Sequence, residues 1–185
     1  MSVRRALLAL AFAMGPALAS AQTIYMPEKA QTGGGPPVAV GPGWRYELRP
    51  PDVHMFLCQQ DSCDRSSRVS YRLYAPNTTM NLARFRAEQE TVVKALRERA
   101  PPGTQIDILS VDGDDNSALP RMYKATRLLT NADGTKEYVV SAVLLGAGHS
   151  ASVISSSRNE AASKANHSLY GVAVLLLISR NTPKP

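Results

Sequence analysis

Four strand-patterned segments follow one another between Gln105 and Ser156, joined by connections too short to carry a chain across a sheet. They are Gln105 to Val111, Pro120 to Thr130, Lys136 to Leu145 and Ser150 to Ser156. Between them lie the polar stretch Asp112 to Ser117, the turn Asn131-Ala132-Asp133-Gly134, and Gly146-Ala147-Gly148. A parallel pair needs a crossover of about a dozen residues or more, so consecutive segments this close pair antiparallel. Asp133-Gly134 supplies the positive φ that a tight hairpin needs.

Three more strand patterns precede them. Trp44 to Leu48 alternates apolar and polar, and Arg49-Pro50-Pro51 ends it because proline cannot extend a ladder. Val53 to Cys58 is the next. In Arg68 to Tyr74, Val69, Tyr71 and Leu73 point one way and Arg68, Ser70 and Arg72 the other.

Two helices complete the pattern. The first covers about Met80 to Arg99, after a break at Ala75 to Thr79 that offers caps. Leu82, Phe85, Gln89, Val92, Val93 and Leu96 share one stripe, and Pro101-Pro102-Gly103 stops the helix. The second covers about Arg158 to Ser179, with Ser157 and Glu160 placed as a capping box. Its main stripe reads Ala161, Ala165, Leu169, Val172 and Leu176. Leu169 to Ile178 is apolar nearly all round, which predicts burial of that half. The element order predicts an α+β domain: an antiparallel sheet of about six or seven strands with two helices packed on one face.

That domain occupies residues 44–180. Residues 1–21 read as a secretory signal, with Arg4 and Arg5, an apolar run from Ala6 to Leu18, and Ala19-Ser20-Ala21 as a cleavage site. The run falls short of the ~20 apolar residues a membrane span needs. Residues 22–43, rich in Gly and Pro, read as a flexible leader, and 181–185 as a polar tail. Removing Arg4 and Arg5 leaves 19 basic against 15 acidic residues, a net charge of +4. That excess is mild beside the strong, clustered one usual in nucleic-acid binders, which argues against that class.

The mature chain keeps two cysteines, Cys58 and Cys63, separated by Gln59-Gln60-Asp61-Ser62. An even count in an exported chain predicts a disulfide. A redox pair usually shows C-x-x-C, and a zinc site needs about four protein ligands.

The remaining motifs fail on context. Gly146-Ala147-Gly148-His149-Ser150-Ala151 matches G-x-G-x-x-A, but a strand follows where a dinucleotide fold needs a helix. Gly148-His149-Ser150-Ala151-Ser152 lacks the last glycine of a nucleophile elbow. Asp112-Gly113-Asp114-Asp115-Asn116 opens like a calcium loop, but Ser117 stands where glycine is needed and Tyr123 where glutamate is. His54, His149 and His167 show no ligand spacing. No metal set and no cofactor motif emerges.

One pattern carries weight. Arg68 and Arg72 share one face of their strand, and Arg121, Lys124 and Arg127 lie on another strand of the same sheet. With helices on one face only, some of these cations would sit on the open face, a basic patch for a small anionic ligand or an acidic partner.

The hairpin before Pro76, the long helix 80–99, the four-strand run and the closing helix ending Leu175-Leu176-Leu177-Ile178-Ser179 resemble the PsbP-like superfamily over about Trp44 to Arg180. The resemblance implies a non-enzymatic accessory, binding or assembly role and carries over no functional residue. The leading expectation is therefore an exported, soluble binding or accessory protein of the bacterial cell envelope, contacting an envelope protein or a small anion. The alternatives are a small serine hydrolase using Ser150 with His149 or His167, or an inhibitor or immunity-type protein.

Overall fold

Apolar and polar residues alternate through Trp44 to Leu48 and Arg68 to Tyr74, whereas Val53 to Cys58 buries His54, Met55 and Phe56 in succession. The central strands are of the second kind. Val139-Val140, Leu144-Leu145 and Val153-Ile154 place apolar side chains on both sides of the backbone. A sheet with such strands needs cover above and below. The computed structural model, which describes residue 38 and residues 42–77 and 79–180, shows how that cover is supplied. The expected signal peptide, most of the leader and the polar tail lie outside the described residues.

Strands β1 (Trp44–Arg49), β2 (Val53–Cys58) and β3 (Arg68–Tyr74) lead into α1 (Leu82–Arg99). Strands β4 (Gln105–Gly113), β5 (Arg121–Thr130), β6 (Lys136–Leu145) and β7 (Ser150–Ser157) lead into α2 (Glu160–Arg180). All seven strands form one sheet in the order β1-β2-β3-β7-β6-β5-β4, antiparallel throughout. Helix α1 carries the chain from central β3 to the edge at β4. Three hairpins then bring it back until β7 closes against β3. The α+β class and the seven-stranded antiparallel sheet match the sequence pattern.

The placement of the helices does not. Cross-strand partners share a face, so the register sorts every residue. One row runs Leu48, His54, Tyr71, Val153, Ala142, Lys124, Asp112. The adjacent row, on the opposite face, runs Glu47, Met55, Ser70, Ile154, Ser141, Ala125, Val111. Tyr170, Val174 and Ile178 of α2 pack with Phe56, Tyr71, Leu144 and Val153, all on the first face. Phe85 of α1 packs with Tyr123, Ala125 and Leu145, and Val93 with Ile106, Leu129 and Val139, all on the second. The helices therefore lie on opposite faces, and the expectation of both on one face is corrected. Two-sided apolar strands require this arrangement, because one layer of helices would leave Val139, Leu145 and Ile154 in water.

Helix α2 is also rotated from its expected setting. Its buried residues include Ser163, His167, Tyr170, Val174 and Ile178, while Leu169, Val172 and Leu176 are 53%, 58% and 50% exposed. Tyr170 accounts for the choice. Its ring meets Phe56 at 4.8 Å and Trp44 edge-on at 5.3 Å, an area of contact no leucine on the other stripe could match. The cap is Asn159 rather than Ser157, since the Asn159 carboxamide oxygen accepts from the Ala162 amide at 3.2 Å. Helix α1 is capped by Asn81, whose oxygen accepts from the Arg84 amide at 2.8 Å. Val38, expected in the leader, is buried among Tyr170, Val174 and Ile178.

The β4–β5 pairing shifts register between Ile108 and Ser110, leaving Leu109 as a bulge. The bulge changes which residues share a face. Ile106 and Ile108 face α1, and so does Val111, whereas Ser110 and Asp112 turn to the α2 face.

Candidate functional site

The five cations singled out in the sequence do not share one open face. Arg127 lies under α1, 3% exposed, where its Nη1 donates to the Gln89 Oε1 at 2.7 Å. Burial pulls its guanidinium down to about 10. Arg121 clamps the preceding loop, donating to the Ser117 carbonyl from Nε and Nη2 at 3.0 and 2.6 Å. Lys124 stands on the other side of the sheet, in the α2-face row. Only Arg68 and Arg72 remain together, on the half of the α1 face that α1 does not reach. Arg68 donates to Ser156 Oγ at 2.8 Å and to Glu137 at 2.5 Å. The Arg72 guanidinium lies 5.2 Å over the Tyr74 ring.

Two arginines that the sequence reading passed over join them. Arg45 and Arg49 point to the same face from β1, flanking Glu47, and each meets that carboxylate at 2.8 Å. The alternation of Arg45, Glu47 and Arg49 with Trp44, Tyr46 and Leu48 was the signal available. Four arginines against Glu47 and Glu137 give this bare half a positive surplus.

The disulfide forms as expected, with Cys58 and Cys63 bonded at 2.02 Å. The segment just after it is fastened to the junction between β7 and α2. The Asp64 carboxylate accepts from the Ser66 amide at 3.0 Å and from the Ser157 hydroxyl at 2.8 Å. The Ser66 oxygen accepts from the Arg158 amide at 3.0 Å. This is a structural staple.

The other sequence motifs resolve into turns. Gly146 donates its amide to the His149 carbonyl at 2.8 Å, closing the β6–β7 hairpin. A Cβ at Gly146 would lie 2.9 Å from that same oxygen, so glycine is required for packing there. Ser150 is 1% exposed and its oxygen accepts from the Asn77 amide at 2.9 Å. It shares a row with Leu145 on the α1 face, so the sheet stands between it and His167. In the acidic loop, Asp114 accepts from the Asn116 amide and the Ser117 hydroxyl. Asp115 accepts from the Leu82 amide at 2.8 Å and the Tyr123 hydroxyl at 2.6 Å. The Tyr123 bond, followed by that amide, holds the Asp115 carboxyl below its usual range. Among the described residues no group of three His, Cys, Asp or Glu could hold a metal ion. No helix there is long and apolar enough to cross a membrane.

The α2 face has its own bare end. Helix α2 runs over β7, β6 and β3 and stops short of β5 and β4. Between the helix and these strands lies a cleft of about 500 Å³. Thr126 and Val140 form its buried floor. Ser110, Asp112 and Lys124 line the sheet side, and Glu160, Lys164, His167 and Ser168 the helix side. Glu160 and Lys164 neutralise each other at 2.7 Å. Ser110 donates to Asp112 at 3.1 Å. The Lys124 ammonium meets no acceptor among the described residues, although Asp112 is its cross-strand partner. His167 is 3% exposed and its Nε2 has no partner among the described residues. Burial, aided by the Lys124 charge, drives its pKa down to about 4, so the ring is neutral at pH 7.

No family model and no curated protein sequence matches the chain. The fold is matched. The solution structure of cyanobacterial PsbP (CyanoP) from Synechocystis sp. PCC 6803 aligns over 83% of this chain and 89% of that one, with a TM-score of 0.54 and 13% identity. The PsbP-like resemblance of the sequence thus holds at the level of fold, and function has to be argued from surfaces.

Proposed function

On a fold shared with cyanobacterial PsbP, we propose that this chain is an exported, non-enzymatic binding or accessory protein of the bacterial cell envelope. Its recognition surface is the bare half of the α1 face, and its partner is an acidic protein surface. The observation that carries this is the convergence of Arg45, Arg49, Arg68 and Arg72 on strands that neither helix covers on that side. Arginine forks suit carboxylates, and a sheet face is broad and rigid enough to present them in fixed register. The export reading rests on the leader pattern in residues 1–21 and agrees with the Cys58–Cys63 disulfide. An inhibitor or immunity-type protein is one form this role can take.

The test is a cross-linked pull-down from an envelope fraction, using the chain from Gln22 and, in parallel, its R45E/R72E variant. One abundant partner that is lost with the variant, and whose capture weakens as salt rises, supports the reading. Capture of the same proteins by both forms would remove the arginine surface from the account.

A further inference from the structure

The cleft beside α2 presents two opposite charges that are next to each other in register and do not pair. Lys124 and Asp112 are cross-strand partners, and no ion pair joins them. Around them the other charges are silent, because Glu160 and Lys164 satisfy each other. The floor under them is Thr126 and Val140, both buried. The cleft holds about 500 Å³, inside the ~300–1,000 Å³ typical of small-molecule sites.

From this geometry we propose that the cleft binds a small zwitterion of the α-amino-acid class. Its carboxylate sits on the Lys124 ammonium and its ammonium on the Asp112 carboxylate. Its apolar side chain lies on Val140 and the stem of the bulged Leu109. A plain anion would leave Asp112 facing like charge, and a plain cation would do the same to Lys124. A ligand carrying both signs on one carbon meets each charge with its opposite, and electrostatic complementarity then favours it over a plain anion or cation. The buried, neutral His167 adds a hydrogen-bonding group without adding charge. The proposal does not depend on the arginine surface, which lies across the sheet.

The experiment is an NMR titration of the ¹⁵N-labelled chain from Gln22 with L-leucine, L-leucinamide and N-acetyl-L-leucine. Leucine should shift the amides of Ser110, Asp112, Lys124, Thr126 and His167. Leucinamide lacks the carboxylate and N-acetyl-leucine the ammonium, and each should bind about tenfold or more weakly. K124M and D112N should each lose leucine binding by a similar factor, and R72M should keep it. Both sites are at the surface end of the sheet, and an otherwise unchanged amide spectrum verifies that each variant is folded. Absence of shifts with leucine at millimolar concentration, or shifts centred elsewhere, would overturn the proposal. Equal binding of N-acetyl-leucine would overturn it too, and would reassign the cleft to simple anions.

Discussion

Arg127 and Gln89 show what a buried polar pair asks of its neighbours. The guanidinium is enclosed, and its bond to Gln89 is the one that answers its charge among the described residues. Gln89→Leu should destabilise the fold by about 2–3 kcal/mol, because it strands a buried cation. Arg127→Met should cost less, since it leaves Ser141 still donating to Gln89 at 3.3 Å. Urea unfolding of the two variants checks the order. His167 makes a prediction about acid. Its folded pKa of about 4 lies below the unfolded value of 6.5, so the unfolded chain gains a proton first. Stability present above pH 6.5 is therefore lost as pH falls toward 4, by about 3 kcal/mol from this ring. His167→Gln should flatten that part of the acid limb, and the imidazole Cε1 proton should titrate near pH 4 by NMR.

Helix α2 is the element on which the reading of faces turns. Ile178→Ala should cost about 2–5 kcal/mol, whereas Leu176→Ala should stay within about 0.5 kcal/mol. Equal losses in denaturant melts would contradict the rotation seen here. The sequence pattern favoured the wrong stripe, Leu169, Val172 and Leu176, for a physical reason. From Leu169 onward both stripes are apolar, so periodicity cannot rank them, and the decision falls to the packing of Tyr170 against Phe56 and Trp44. Strand boundaries were far more legible, because Pro50-Pro51, Asp133-Gly134 and Gly146 punctuate them by backbone chemistry alone. The candidate cleft was hidden by one residue. Ile106, Ile108 and Val111 break a period of two, which is the mark of a bulge, and that bulge is what brings Asp112 opposite Lys124 on the α2 face. Without the register, Asp112 reads as part of an acidic loop and Lys124 as part of a basic patch.

At the scale of the whole molecule, the disulfide is a modest clamp. Its loop is short, so C58S/C63S should lower stability by about 2 kcal/mol. Intact mass should rise on alkylation only after reduction. The segment after the loop is tied to the β7–α2 junction through Asp64 and Ser66, so the double variant should also loosen that junction, seen as faster amide exchange at Arg158 and Asn159. Helices on opposite faces, each covering one end, leave the two bare surfaces diagonal to one another across the sheet. An occupant of either approaches from its own side, and neither can obstruct the other by contact. Both surfaces stand on one continuous antiparallel sheet, with no separate moving element described between them. Saturating one surface should then leave the affinity of the other unchanged. The domain would behave as a coupler that holds two things at once and passes no message between them.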